Sequence, residues 1–232
     1  MELFNEGTIQ NNNNKLQQID NDNNNNNEYL RIIMTLMYLA RLTRPDILLP
    51  TTYLASRSHI ANQYDYKKLA RILVYLEKTP EKTLTISCKG NLDLSCYCDA
   101  SYGSHSDGKS HTGYCVEIGE NESFVLAKSA KQKLTAVSST DAEILAMVNY
   151  IENIIWIDNL LEEIMKNIRD ETYLKNKQPI TLYQDNMSAI AVVNENTKKK
   201  RSKHILTKIS MIKDFVINGR IKIEYTNTKE MC

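Results

Sequence analysis

Three acidic residues of this 232-residue chain, Asp99, Glu143 and Asp185, stand where carboxylates do chemistry. Asp99 ends the apolar, strand-like run Leu92-Asp-Leu-Ser-Cys-Tyr-Cys-Asp and precedes the short polar loop Ala100-Ser-Tyr-Gly. A carboxylate there sits at the rim of a sheet, where α/β proteins bind ligands; a turn-initiating Asp is the simpler reading. Glu143 belongs to a long helical stretch. Steps of three and four from it reach Met147, Tyr150, Ile154, Ile157 and Leu161, so it lies in line with the apolar face. A lone buried carboxylate is costly. Glu143 therefore needs a counter-charge such as a metal ion, or it stays near solvent in the first turn. Asp141 falls on the polar face, towards Glu152, Asn159 and Glu163, and suits a helix N-terminus. Asp185 ends Thr181-Leu-Tyr-Gln and precedes Asn186-Met-Ser-Ala-Ile. It can cap that helix, bind a ligand, or do both.

Taken together, the three are hard oxygen donors, which suit Mg²⁺ or Mn²⁺ better than zinc. Two such ions ~3.5–4 Å apart can activate water and stabilise the leaving oxygen of a phosphodiester. The expectation is that the three carboxylates lie within about 4–8 Å of one another, the range a shared two-metal site allows, with Asp141 pointing away. The cysteines are Cys88, Cys96, Cys98, Cys115 and Cys232. They form no Cys-x-x-Cys and pair with no suitably spaced histidines, which argues against structural zinc. Cys96 and Cys98 read as small core side chains, and reduced thiols fit an intracellular compartment.

A second constellation is basic. Between Lys198 and Lys222 there are nine Lys or Arg and one acid, Asp214, in a chain of net charge +1. Its dense part comprises Lys198, Lys199, Lys200, Arg201, Lys203 and His204. The functional reading is contact with nucleic-acid phosphates; a solvated loop or a localisation-type run is the alternative. Lys128, Lys131 and Lys133 form a smaller basic group before the long helix.

These residues need a scaffold. Strand-like patterns occupy Leu84–Cys88, Leu92–Cys98, Thr112–Ile118, Ser123–Ala127, Ile180–Tyr183 and Ile221–Tyr225, with a turn at Gly119-Glu120-Asn121-Glu122. Helical patterns occupy about Ser139–Met165, Asn186–Asn194 and His204–Val216. Strands followed by alternating helices and strands predict an α/β layered domain with a mixed sheet over 81–232. Residues 28–80 predict a small helical subdomain with helices over Tyr29–Leu42, Pro45–Ser58 and Asp65–Glu77. Ile33, Leu36, Met37 and Ala40 share one face of the first; Leu69, Ile72, Leu73 and Leu76 share one of the third, with Lys67, Lys68 and Arg71 opposite. Residues 1–27, eleven of them Asn, predict a disordered polar tail. The best membrane candidate, Ile32–Ala40, is far shorter than the ~20 residues of a spanning helix, and no secretory signal opens the chain. No membrane partner is expected.

Seven stretches, in order and spacing, resemble the ribonuclease H region of copia-type retrotransposon polyproteins with its preceding connection segment. They are Leu36-Met-Tyr-Leu-Ala with Thr43-Arg-Pro-Asp-Ile; Tyr97-Cys-Asp-Ala-Ser; Lys109-Ser-His-Thr-Gly-Tyr; Ala136-Val-Ser-Ser-Thr-Asp-Ala-Glu; Tyr183-Gln-Asp-Asn-Met-Ser-Ala-Ile; Arg201-Ser-Lys-His-Ile; and Glu224-Tyr-Thr-Asn-Thr-Lys-Glu. The resemblance implies a ribonuclease H-like mixed five-stranded sheet flanked by helices. It also implies hydrolysis of the RNA strand of an RNA–DNA hybrid by two divalent ions, Mg²⁺ or Mn²⁺. Asp99, Glu143 and Asp185 match its catalytic and metal-binding carboxylates; His204 matches a histidine of the basic segment, in phosphate positioning or helix packing. The partners implied are the hybrid and the reverse transcriptase domain of a parent polyprotein, in the cytoplasm (in a virus-like particle) or the nucleus. Nothing matches the reverse transcriptase Asp-Asp motif, an integrase or an aspartic protease.

The departures are Ser101 and Tyr102, where the family has an acidic residue and Trp, and Asp141, where it has Glu. In the family, a segment like Thr228-Lys-Glu-Met-Cys continues into Ala-Asp, whose Asp is a fourth metal-site carboxylate. This sequence stops at Cys232. The resulting expectation is a fragment or relic lacking the fourth ligand, with weak cleavage in Mn²⁺ at best. Asp107 is the first candidate substitute for that ligand. A catalytically impaired nucleic-acid-binding module and a decayed frame are the competing readings.

Overall fold

The computed structural model describes residues 25–86, 91–119, 123–194 and 203–230. They fall into two compact units, Met1–Leu84 and Thr85–Cys232. Residues 1–24 of the expected tail lie outside the described residues, but Asn25–Asn27 are helical and open α1, Asn25–Leu42. Tyr29, Ile33, Leu36, Met37 and Ala40 are buried along one side of α1 and anchor it. Each Asn added ahead of them costs only a fraction of a kcal/mol of propensity, about 0.7 at most.

The single helix expected over Pro45–Ser58 is instead a 3₁₀ turn at Pro45–Ile47, helix α2 at Leu48–Ala55 and a second 3₁₀ turn at Ser58–Ile60. Pro45 starts the first turn, and the Leu48 N–H bonds back to the Pro45 carbonyl. Helix α3, Gln63–Lys78, opens on a capping box: the Asn62 side chain accepts from the Tyr64 and Asp65 N–H groups, and the Asp65 carboxylate accepts from the Asn62 N–H. Asp65, 1% exposed, also takes a two-pronged bond from Arg57 at 2.8 and 3.0 Å. Asn62→Ala should lower the stability of this unit by about 1 kcal/mol, seen as an earlier urea midpoint; an unmoved midpoint would mean the box is ornamental. Leu69 and Ile72 are buried as expected, but Leu73 is 43% exposed and Leu76 half-buried.

The second unit is built on one sheet of order β3-β2-β1-β4-β5. Its strands are β1 Leu94–Ser101, β2 His111–Ile118, β3 Ser123–Lys131, β4 Ile180–Gln184 and β5 Ile221–Tyr225. β1 pairs antiparallel with β2, and β2 with β3, while β1/β4 and β4/β5 are parallel. This is the mixed five-stranded ribonuclease H-like arrangement. Leu94, Cys96 and Cys98 alternate inwards along β1, packed with Val116, Ile180 and Leu182. Gly119, at φ +77°, starts the β2–β3 turn in the left-handed region that glycine enters freely; 120–122 lie outside the described residues. Residues 84–86 are not strand, contrary to expectation, and Ile86 is 64% exposed. β-branched residues make no strand without a partner ladder. The rest of that run, 87–88, lies outside the described residues.

The expected long helix is two: α4 Ser139–Asn149 and α5 Ile151–Asn167, broken at Tyr150 with φ −122° and ψ 1°. The Tyr150 ring packs on Tyr114, centroids 4.2 Å apart, and under the Lys128 ammonium. Ser139–Asn167 is long and apolar enough to cross a membrane by length and composition, but 56% of its most apolar stretch is buried within the protein. On α5, Asp158 is buried and bonded by Lys177 Nζ at 2.5 Å and Arg220 Nη2 at 2.6 Å, tying the helix to the starts of β4 and β5. A short helix, α6 Glu171–Asn176, was not expected; the Asp170 carboxylate caps it by accepting from the Tyr173 N–H. α7, Met187–Asn194, and α8, Lys203–Ile217, complete the unit.

Candidate metal centre

The parallel pairing of β1 with β4 decides the site. Tyr97 lies opposite Tyr183 in register, their rings stacked 4.8 Å apart. Two residues further on, Asp99 lies within β1 and Asp185 one residue past the end of β4, so both reach the same rim of the sheet. α4 is packed against β1 and β2, and its Glu143 completes the group. One carboxylate oxygen from each of Asp99, Glu143 and Asp185 lies within 4.8 Å of the other two. Asp99 is exposed, Asp185 half-buried and Glu143 buried. No other group of three or more ligand-bearing residues gathers in this way among the described residues.

The local chemistry differs in detail from the expectation. β1 continues to Ser101, so Asp99 lies inside the strand and not at its end. Its Oδ1 accepts from the Ala100 N–H at 2.7 Å. Asp185 does not cap α7: Asn186 does, its Oδ1 accepting from the Ala189 N–H at 3.0 Å. Asp185 is thereby left to the site, where its Oδ2 accepts from the Thr228 hydroxyl at 2.7 Å. Asp141 lies outside the carboxylate group as expected, but it is buried and not on a polar face. The reason is that α4 is enclosed by the sheet, α7 and α8, so every residue from Asp141 to Val148 is buried.

Electrostatics mark the group as short of a counter-charge. Burial first, then the Asp99 and Asp185 charges, push the Glu143 carboxyl up to about 8, against the opposing bond from Gln184. Asp99 is raised by its withdrawal from water and by the Asp185 charge, against the bond from Ala100. Three oxygen donors that repel one another at this range are a fitting set for a hard divalent cation.

Gln184 was missed in the sequence. It is fully buried; its Nε2 donates to Glu143 Oε2 at 3.2 Å and to the Cys98 carbonyl at 3.3 Å, and its Oε1 accepts from the Asn186 N–H at 3.0 Å. A signal existed: Ile180, Leu182 and Gln184 share one face of β4, and a polar residue on a core face needs a partner.

The remaining candidates divide. Asp107 bonds Lys131 at 2.7 Å in the β1–β2 loop and does not join the carboxylates, so it is no substitute ligand. That loop is also pinned by a chain from His105 Nε2 to His111 Nδ1 at 2.9 Å and from His111 Nε2 to Ser129 Oγ at 2.6 Å. Burial, with the neighbouring His105, pushes His111 down to about 4. Of the smaller basic group, Lys128 bonds the Asn153 side chain, Lys131 bonds Asp107, and Lys133 is exposed. Lys198, Lys199, Lys200 and Arg201 lie outside the described residues. Lys203 is exposed at the start of α8; His204 follows it in the helix, its side chain outside the described part.

No protein-family model matches the chain. It is 30% identical over 204 residues to the retrovirus-related Pol polyprotein from transposon RE1 of Arabidopsis thaliana, across 88% of this chain and 13% of that protein. To the corresponding polyprotein from transposon TNT 1-94 of Nicotiana tabacum it is 27% identical over 205 residues, 87% of this chain and 14% of that one. The crystal structure of LC11-RNase H1 in complex with RNA/DNA hybrid superposes with TM-score 0.44 at 11% identity, over 60% of this chain and 89% of that one. The chain therefore spans about an eighth of the length of the polyproteins it matches. With that alignment running through both units, the chain corresponds to a region of the copia-type Pol polyproteins, and its sheet order is that of a ribonuclease H-like fold.

Proposed function

We propose that the chain hydrolyses the RNA strand of RNA–DNA hybrids, as the ribonuclease H part of a retrotransposon polyprotein. The observation that carries this is the convergence of Asp99, Glu143 and Asp185 from three separate elements on one rim of the sheet. In this reading these residues hold two divalent ions, Mg²⁺ or Mn²⁺. When bound, such ions supply water activation and stabilisation of the leaving oxygen. The protein's own part is positional. Asp99 presents its carboxylate from within β1 and Asp185 from just past the end of β4, Glu143 contributes a third from the buried helix, and the Thr228 hydroxyl fixes the orientation of Asp185. Residues 28–80 serve as the connection segment and 81–232 as the nuclease, next to the polyprotein's reverse transcriptase domain, in the cytoplasm or nucleus.

Lys198, Lys199, Lys200, Arg201, Lys203 and His204 are the proposed phosphate contacts. Their role is sequence-independent, so hybrid affinity should fall steeply with salt. Replacing Lys199, Lys200 and Arg201 by Ala should flatten the logarithmic salt slope by about one unit per lost contact. Fluorescence anisotropy across a salt series reads this, and an unchanged slope returns the run to a solvated loop.

The function itself is tested with end-labelled RNA–DNA hybrid, RNA duplex and DNA duplex, in Mg²⁺ and in Mn²⁺. Ion-dependent cuts confined to the RNA strand of the hybrid are expected. Mn²⁺ is the more permissive ion, because Mg²⁺ demands near-ideal octahedral ligands. Tight hybrid binding without cuts in either ion would make the chain a binding module.

A further inference from the structure

We infer that Gln184 is the positioning residue of the carboxylate group: its one buried amide ties together the three places from which Asp99, Glu143 and Asp185 project. Cys98, whose carbonyl takes one N–H, immediately precedes Asp99. Glu143 takes the other N–H directly on Oε2. Asn186, whose N–H is accepted by the Gln184 carbonyl oxygen, immediately follows Asp185, and Gln184 itself immediately precedes it. Asp185 is thus clasped on both sides by one side chain and its own backbone.

The choice of an amide is chemically specific. Of the groups that could donate to Glu143 here, a Lys or Arg would neutralise the carboxylates and compete with a cation. An Asp or Glu would add a fourth negative charge. An apolar residue of the same volume would fill the space but leave the Asn186 N–H without this acceptor and Glu143 without this donor. A primary amide offers two donors and an acceptor at no net charge. It therefore orients the carboxyl group without adding charge to it. Buried donors and acceptors pay heavily when orphaned, so the three bonds are lost or kept together.

The consequence for metal binding rests on the proposed function; the positioning itself does not. The test uses the 232-residue chain and Gln184→Met, which keeps the volume and removes both donors and the amide acceptor, leaving only a weakly accepting thioether. Three quantities are read: the thermal midpoint, Mn²⁺ affinity by electron paramagnetic resonance titration, and the Glu143 carboxyl carbon resonance in the metal-free protein. A positioning role predicts a broadened or shifted Glu143 resonance and Mn²⁺ binding weakened about tenfold or more, a loss of about 1.4 kcal/mol. A merely structural role predicts a lower midpoint with the resonance and the Mn²⁺ affinity unmoved, and that result overturns the inference. If Gln184→Met does not fold, Gln184→Asn replaces it; its shorter side chain cannot span Glu143 and the Asn186 N–H together, and the same two outcomes decide. Absence of Mn²⁺ binding by the unaltered chain would defeat the proposed function alone. The metal-free Glu143 resonance would then decide the positioning role by itself.

Discussion

Glu143→Gln is expected to abolish the proposed hybrid hydrolysis and, at the same time, to stabilise the metal-free protein. The first effect follows from losing one of three anionic ligands; such losses commonly cost 10²-fold or more, about 2.7 kcal/mol of barrier. The second follows from burial. Folded Glu143 keeps its proton up to a pH of about 8, against an ordinary value of 4.5. Between those values the folded chain binds more protons than the unfolded one, so the stability contributed by the protonated group falls as pH rises. Below about pH 4 both states are protonated and the variant gains nothing. Through pH 5 to 8 its advantage should grow to roughly a few kcal/mol. Thermal midpoints of the two proteins at pH 4 and pH 8, without divalent ions, check this. Adding Mn²⁺ at pH 8 should raise the midpoint of the unaltered chain and leave that of the variant in place. A variant less stable than the parent at pH 8 would mean that Glu143 is held by a counter-charge of the protein's own.

Asp158→Ala should be the most damaging single change in the second unit outside the carboxylate group. Asp158 is buried and carries both Lys177 and Arg220. Burial works against the Lys177 ammonium, yet its bonds to Asp158 and Glu162 hold its pKa above the ordinary lysine value. Removing the shared carboxylate leaves Lys177 with Glu162 alone and Arg220 with the neutral Asn159 side chain. Breaking a buried pair costs about 3–5 kcal/mol. Because the Lys177 and Arg220 side chains are 20% and 35% exposed, water recovers part of it, and about 2–4 kcal/mol is the expected loss. Urea unfolding reads it directly. Asp158→Asn, which keeps the volume and one carbonyl acceptor while removing the charge, should lose less. Equal losses for the two variants would assign the effect to the lost charge instead of packing.

The carboxylates were legible in the sequence because each sits at a change of pattern. Asp99 and Asp185 follow apolar strand runs, and Glu143 falls on the apolar periodicity of its helix. What stayed illegible depends on tertiary contact. The break at Tyr150 has neither Pro nor Gly to announce it; the ring's seat against Tyr114 and Lys128 accompanies the change of direction. Asp141 reads as polar-faced by periodicity because periodicity sees one buried side, whereas α4 is enclosed on all sides. Leu84 to Ile86 have strand propensity and no partner strand. Asn186 rather than Asp185 caps α7, a shift of one residue that residue preferences do not resolve, since both types are good caps.

The central claim is that Asp99, Glu143 and Asp185 hold the ions of a phosphodiester hydrolase. Anomalous diffraction from crystals of the chain grown with Mn²⁺ tests it most directly. The account predicts Mn²⁺ peaks among the three carboxylates, and for two ions a separation of ~3.5–4 Å. Occupied Mn²⁺ sites elsewhere on the molecule, with no peak among these three, would contradict it.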